Sequence, residues 1–248
     1  MSSVLVPAAR SRTECGLRAR VLASGMAKAR RFAALTTCAA VLTSVTFMLA
    51  GCVPASDSDA PAATPSVGAA PWPAPADAAR RAEDAGQPFL AVEKLDYHAH
   101  THLDVFVNGE PVVVPRGIGI DMENPGVAEF PAENGQGPTW GIRDFETGCP
   151  TPCISSLHTH GDDGVVHIEA ASESVYTLGQ FFTEWGVALT DECVGGYCTP
   201  DAPISVYLNG EPHAGDPAGI ELHDRLEIAI VIGTPPSEIP SDYTWSRA

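Results

Sequence analysis

The tetrapeptide Asn-Gly-Glu-Pro occurs twice, at residues 108–111 and 209–212, each time after five residues of strand character: Leu103-Asp104-Val105-Phe106-Val107 and Ile204-Ser205-Val206-Tyr207-Leu208. Asn-Gly populates the positive φ angles that a two-residue turn between antiparallel strands requires. Each copy therefore predicts a β-hairpin, the first running on into Pro111-Val112-Val113-Val114. A chain with two such hairpins must build a sheet around them. Val165-Val166-His167-Ile168-Glu169 and Leu226-Glu227-Ile228-Ala229-Ile230-Val231-Ile232 read as two further strands. The match between the hairpins leaves duplication and independent recurrence both open.

One helix is legible between them. Thr177 with Gln180 three residues on makes a capping box, and Leu178, Phe181, Phe182 and Trp185 recur at helical spacing, the pattern of a face packed on a core. Gly186 is placed to end the helix in the left-handed conformation. The result is an α+β, β-rich layout, a small mixed sheet with one packed helix, similar to a β-grasp. A β-sandwich with a helical insertion is the alternative, because strand count does not fix strand order.

The N-terminal part has a different texture. Arg30 and Arg31 precede the apolar run Phe32 to Ala50, which closes on Leu49-Ala50-Gly51-Cys52. A charged region, an apolar region and a small-residue cleavage site in that order are an export signal. The segment resembles a bacterial lipoprotein signal with its lipobox. The resemblance implies cleavage before Cys52, lipidation of the Cys52 thiol, and anchorage at the outer face of the cytoplasmic membrane. A transmembrane helix competes with this reading, but 19 residues with six Ser, Thr or Cys are at the short end for a span. Residues 1–51 are thus expected to be a signal peptide, with Met26 opening a signal of ordinary length and residues 1–25 an over-extended start. Residues 52–88 are rich in Ala and Pro, too poor in large apolar side chains to offset the entropy of ordering, and read as a disordered tether. Residues 89–248 are left as a single domain large enough for its own core.

Seven of the 14 basic residues and one acid precede Cys52, so the remainder carries 7 basic against 30 acidic side chains, a formal charge of −23. Nucleic acid is a poor partner for such a surface, since phosphate binding needs a basic face. The charge names no protein partner and is itself compatible with a merely solvated surface.

All eight histidines lie beyond Cys52, and six fall in two clusters: His98, His100 and His102 in one, His158, His160 and His167 in the other. Alternate residues of a strand share a face, so a His-x-His pair turns two imidazoles toward one point. Nitrogen ligands at about 2.0–2.1 Å suit a transition-metal ion, zinc or copper foremost. Glu169 shares a face with His167 and completes a set of three nitrogens and one carboxylate. Asp162 and Asp163 are placed to orient imidazole N–H groups from outside that set. His213 and His223 stand alone and read as structural.

The blocks His100 to Gly109, Ile118-Gly119-Ile120, Leu157 to His160 with Gly164 to Glu169, and Tyr176 to Phe182 with Trp185-Gly186 resemble an uncharacterised exported family of bacteria and archaea. The resemblance covers most of residues 97–235 and implies that both histidine blocks serve one site. It implies no named activity. The family pattern has Asp directly after His-Thr-His, where this chain has Gly161 and then Asp162.

Cys149, Cys153, Cys193 and Cys198 remain once the signal and Cys52 are set aside, and an even number outside the cytoplasm reads as two disulfides. Three connectivities are open, with bridges between the two segments favoured over two local ones. A Cys-x-x-x-Cys copper or redox site, resembling that of respiratory copper-delivery proteins, is the functional rival. The composite expectation is a lipid-anchored extracytoplasmic protein that binds a transition metal through clustered histidines. One rival is a metalloenzyme in which three histidines hold the ion, water takes an open position and Glu169 acts as base. Another is a metal-free structural or ligand-binding module with hydrogen-bonded imidazoles.

Overall fold

The computed structural model describes residues 65, 66, 68–131 and 137–245. The expected signal sequence, Cys52 and the first part of the expected tether lie outside the described residues. A first helix, α1 (Ala78–Asp84), precedes the main sheet, whose strands in chain order are β1 (Tyr97–Val107), β2 (Glu110–Val112), β3 (Leu157–His158), β4 (Val165–Ala170), β5 (Ile204–Leu208), β6 (Glu211–His213) and β7 (Leu226–Ile232). The second helix, α2 (Leu178–Trp185), follows β4.

Both predicted hairpins form. Asn108 and Gly109 take φ of 53° and 85°, and Asn209 and Gly210 take 50° and 80°, the turn that Asn-Gly favours. The strands are ordered β6-β5-β7-β1-β4-β3, with β2 paired to the far half of β1. The two central strands, β1 and β7, run parallel, Leu226 opposite Thr101 through Ile232 opposite Val107, while every other pairing in this sheet is antiparallel. The first hairpin supplies β1 of the parallel centre, the second lies beside β7, and α2 packs on one face, which makes the β-grasp pattern. The sandwich alternative falls away because both hairpins join one sheet.

Alternation along the strands separates two faces. Ala99, Leu103 and Val105 of β1, Val166 and Ile168 of β4, and Leu226, Ile228 and Ile230 of β7 enter one buried cluster with Leu178, Phe181, Phe182 and Trp185 of α2. The capping box is present: the Thr177 hydroxyl accepts from Gln180 N–H and the Gln180 side chain accepts from Thr177 N–H, and Gly186 closes the helix at φ 72°. The intervening residues of β1 and β4 turn their side chains to the opposite face, and among them are His98, His100, His102, His167 and Glu169. A ribbon of Val127–Pro131 paired with Pro138–Ile142 lies nearby, connected to the His158–His160 segment through Trp140.

Two expectations are corrected. The domain does not begin at Phe89. Trp72 is buried at 3% exposure, edge-on to Trp185 and Tyr197 with ring centroids 5.7 and 6.2 Å away, and α1 packs against α2 with Ala78 and Ala82 buried. One tryptophan and a short alanine face anchor a stretch whose average composition reads as tether. The disulfides, moreover, are local: Cys149 with Cys153, and Cys193 with Cys198. Cys193 and Cys198 face each other across a two-stranded ribbon, and the Pro-Thr-Pro turn brings Cys149 and Cys153 to a Cα separation of 6.3 Å, within disulfide reach. With its thiols paired, the Cys-x-x-x-Cys segment holds no ion in this form. No helix among the described residues is long and apolar enough to cross a membrane.

Candidate metal centre

Register places the ligands. Across β3, β4 and β1, His158, His167 and His100 lie directly opposite one another, and one step along, Glu169 lies opposite His98. Neighbouring strands are about 4.8 Å apart, so one row brings three imidazoles together and the next adds a carboxylate and a fourth. His160, two residues beyond His158, brings a fifth.

The tautomers of the His158 and His160 rings follow from their partners. His158 Nδ1 lies 2.8 Å from the Ser155 carbonyl, and His160 Nδ1 bonds to the Trp140 carbonyl, while the Trp140 N–H donates back to the His160 carbonyl at 2.9 Å. A carbonyl only accepts, so both Nδ1 atoms carry the proton and both Nε2 atoms present bare lone pairs. Those two Nε2 atoms face each other at 3.1 Å. Without a cation between them this is repulsive. Ligand atoms on one tetrahedral ion with bonds of about 2.0–2.1 Å stand roughly 3.3–3.4 Å apart, close to what is observed. A proton is a poor substitute, because burial and neighbouring imidazoles push the pKa of His158 well below 6.5, and burial lowers that of His160 too.

Glu169 joins this group. Its Oε2 is 3.9 Å from His158 Nε2 and is a buried oxygen with no hydrogen-bond partner. His158, His160, His167 and Glu169 offer ligand atoms all within 4.8 Å of one another, close enough to hold one ion. His98, His100 and His167 form a second group on the same criterion. Burial raises the pKa of Glu169 and that of Glu93, whose carboxyl group hydrogen-bonds to it.

His102 is set apart. Its Nδ1 is 2.9 Å from Glu227 Oε2 and its Nε2 is 2.8 Å from the Asp163 carbonyl. The Asp163 carbonyl only accepts, so Nε2 carries a proton; Nδ1 shares a proton with Glu227, whose own pKa burial raises, and neither nitrogen is free for an ion while those bonds last. Burial works against a charged His102 ring, but the bonds and charge of Glu227, with Asp104 and the Asp163 carbonyl, outweigh it and raise the pKa. His102, Asp104 and Glu227 also lie close enough to form a third potential group. Asp162 and Asp163 do not orient the imidazoles as expected: Asp162 accepts from Arg116 N–H at 2.8 Å, and the Asp163 side chain caps Val165 N–H. Backbone carbonyls do the orienting instead. His213 and His223 belong to none of the three groups.

Ring nitrogens and Glu169 open onto a cavity of about 1050 Å³, lined among others by His98, His100, His160, Trp140, Phe145 and Trp245. His158 sits behind it, fully buried. Sequence reading missed Glu93, Ser155 and Trp140. Glu93 carried only the weak signal of an acid shortly before a histidine-rich strand, and the other two act through backbone carbonyls, which no side-chain motif encodes. No family model matches the chain, and no curated protein or solved structure matches it significantly.

Proposed function

We propose that this chain is a lipid-anchored, extracytoplasmic transition-metal-binding protein whose ion is held by His158 and His160 with Glu169 and His167. The observation that carries the reading is the pair of bare Nε2 lone pairs, 3.1 Å apart, each ring pinned through Nδ1 to a backbone carbonyl. Imidazole nitrogens and one carboxylate suit zinc or copper, and carbonyl partners on the far nitrogens fix such rings before an ion arrives. The Leu-Ala-Gly-Cys sequence supports anchoring through Cys52 at the outer face of the cytoplasmic membrane, where the paired cysteines would also be at home.

The metal-free alternative requires the imidazoles to satisfy one another, and His158 and His160 do not. Elemental analysis of the full chain, exported to an oxidising compartment and purified without a histidine tag, tests the reading beside a His158→Ala/His160→Ala variant. Zinc or copper of at least one equivalent in the wild type, reduced in the variant, is expected. A metal-free protein that also refuses added Zn²⁺ and Cu²⁺ would overturn it.

A further inference from the structure

We propose that the histidine face holds two metal ions bridged by the Glu169 carboxylate, an inference that rests on the metal-binding reading above. Four atoms beside the His158–His160 pair close a ring of short edges. His98 Nε2 is 3.0 Å from His100 Nε2, His100 Nε2 is 3.1 Å from His167 Nδ1, His167 Nδ1 is 3.4 Å from Glu169 Oε1, and Glu169 Oε1 is 3.3 Å from His98 Nε2. All four edges are near the roughly 3.3–3.4 Å expected between ligands of one tetrahedral ion. His98, His100 and His167 form the close-set group of three nitrogens, with Glu169 Oε1 beside two of them.

The other carboxylate oxygen faces the other way. Oε2 of Glu169 is the one near His158, buried and without a hydrogen bond. One carboxylate thus offers an oxygen to each of two nitrogen groups, the arrangement of a bridging ligand between ions about 3.5–4 Å apart. The strand register enforces this placement, since His98 lies opposite Glu169 and His100 opposite His167. Glu93 adds a second carboxyl group beside the bridge, which helps to balance two divalent charges.

The two positions differ in access. His158 is fully buried, whereas the His98 side chain is 36% exposed and faces the cavity. The inner ion, held in the two-ion form by His158, His160 and Glu169 Oε2 while the single lone pair of His167 goes to the outer one, is enclosed. The outer ion, at His98, His100, His167 and Glu169 Oε1, meets the cavity and is the one that exchanges or accepts an exogenous anionic ligand.

Titration of the metal-free full chain with Zn²⁺ or Cu²⁺, read as bound metal per chain, tests the proposal on the wild type, His98→Ala/His100→Ala and His158→Ala/His160→Ala. The expected result is two equivalents in the wild type and one in each variant, with a spin-coupled Cu²⁺ pair in the wild-type electron paramagnetic resonance spectrum that Glu169→Gln removes. Saturation at one equivalent, lost in the His158/His160 variant and unchanged in the His98/His100 variant, overturns the second ion and leaves metal binding standing. One equivalent lost in both variants means a single shared ion and also overturns it. No uptake by the wild type overturns both readings. Glutamine replacements at the same positions, with near-ultraviolet circular dichroism, take the place of any alanine variant that fails to fold.

Discussion

At the scale of single residues, what decides a histidine's role here is the partner on each of its two nitrogens. His158 and His160 give one N–H each to a carbonyl and keep one lone pair, whereas His102 is bonded on both sides and its pKa is raised. The raised pKa makes a pH prediction whose sign can be worked out. A folded pKa raised above the ordinary 6.5 means that the folded state holds this proton more tightly, so the stabilisation is complete below 6.5 and lost as pH rises through the folded value. Glu227→Gln removes the carboxylate responsible. It is expected to cost about 1.5–3 kcal/mol in mild acid, the worth of a hydrogen bond to a charged group, and progressively less toward alkaline pH. Chemical denaturation of both proteins across that range checks it, and a gap that widens with pH would contradict the assignment. None of this was legible in the string of residues, where His102 is indistinguishable from His98 and His100.

At the scale of elements, the site depends on a segment that carries no ligand. Residues 116–120 run beside the His-Thr-His block: Gly117 N–H donates to the Thr159 carbonyl at 2.8 Å, and Thr159 N–H to the Ile118 carbonyl at 3.1 Å. Gly119 sits within this contact at φ 71°, where a Cβ would lie 2.2 Å from the Leu157 carbonyl oxygen and 3.1 Å from His158 Cβ. Only glycine tolerates both the left-handed backbone and the close approach. Gly119→Ala is therefore expected to displace His158, lowering both the melting temperature and the retained metal. Gly219→Ala, at a position with open space and no positive φ, is the matched control and should change neither. Equal effects of the two substitutions would remove the steric argument. The hairpins, by contrast, were readable in advance, because Asn-Gly and the capping box act within a few residues of themselves.

At the scale of the whole molecule, the domain borrows its boundary from a stretch that looks like linker. Trp72 fills a place between Trp185 and Tyr197, and Trp185 Nε1–H donates to the Trp72 carbonyl at 3.1 Å. Trp72→Ala is expected to cost about 3–5 kcal/mol, as for other buried aromatic truncations, and a chain beginning at Phe89 should melt lower still. Denaturation curves of the two against the longer chain decide it, and a truncated domain of undiminished stability would restore the tether reading. The sequence by itself determined the two hairpins, the capped helix and the β-rich class, because turn chemistry, capping and periodicity are local and each residue carries its own share of the signal. It also singled out the histidines as a chemical resource. Tertiary structure alone decided that β1 and β7 lie side by side in parallel, and that His100, His167 and His158 share one row across three strands. It alone decided that backbone carbonyls strip two imidazoles to bare lone pairs, and that the cysteines close locally. Those outcomes depend on which distant segments meet, and strand register and backbone hydrogen bonds settle that only once the sheet has formed.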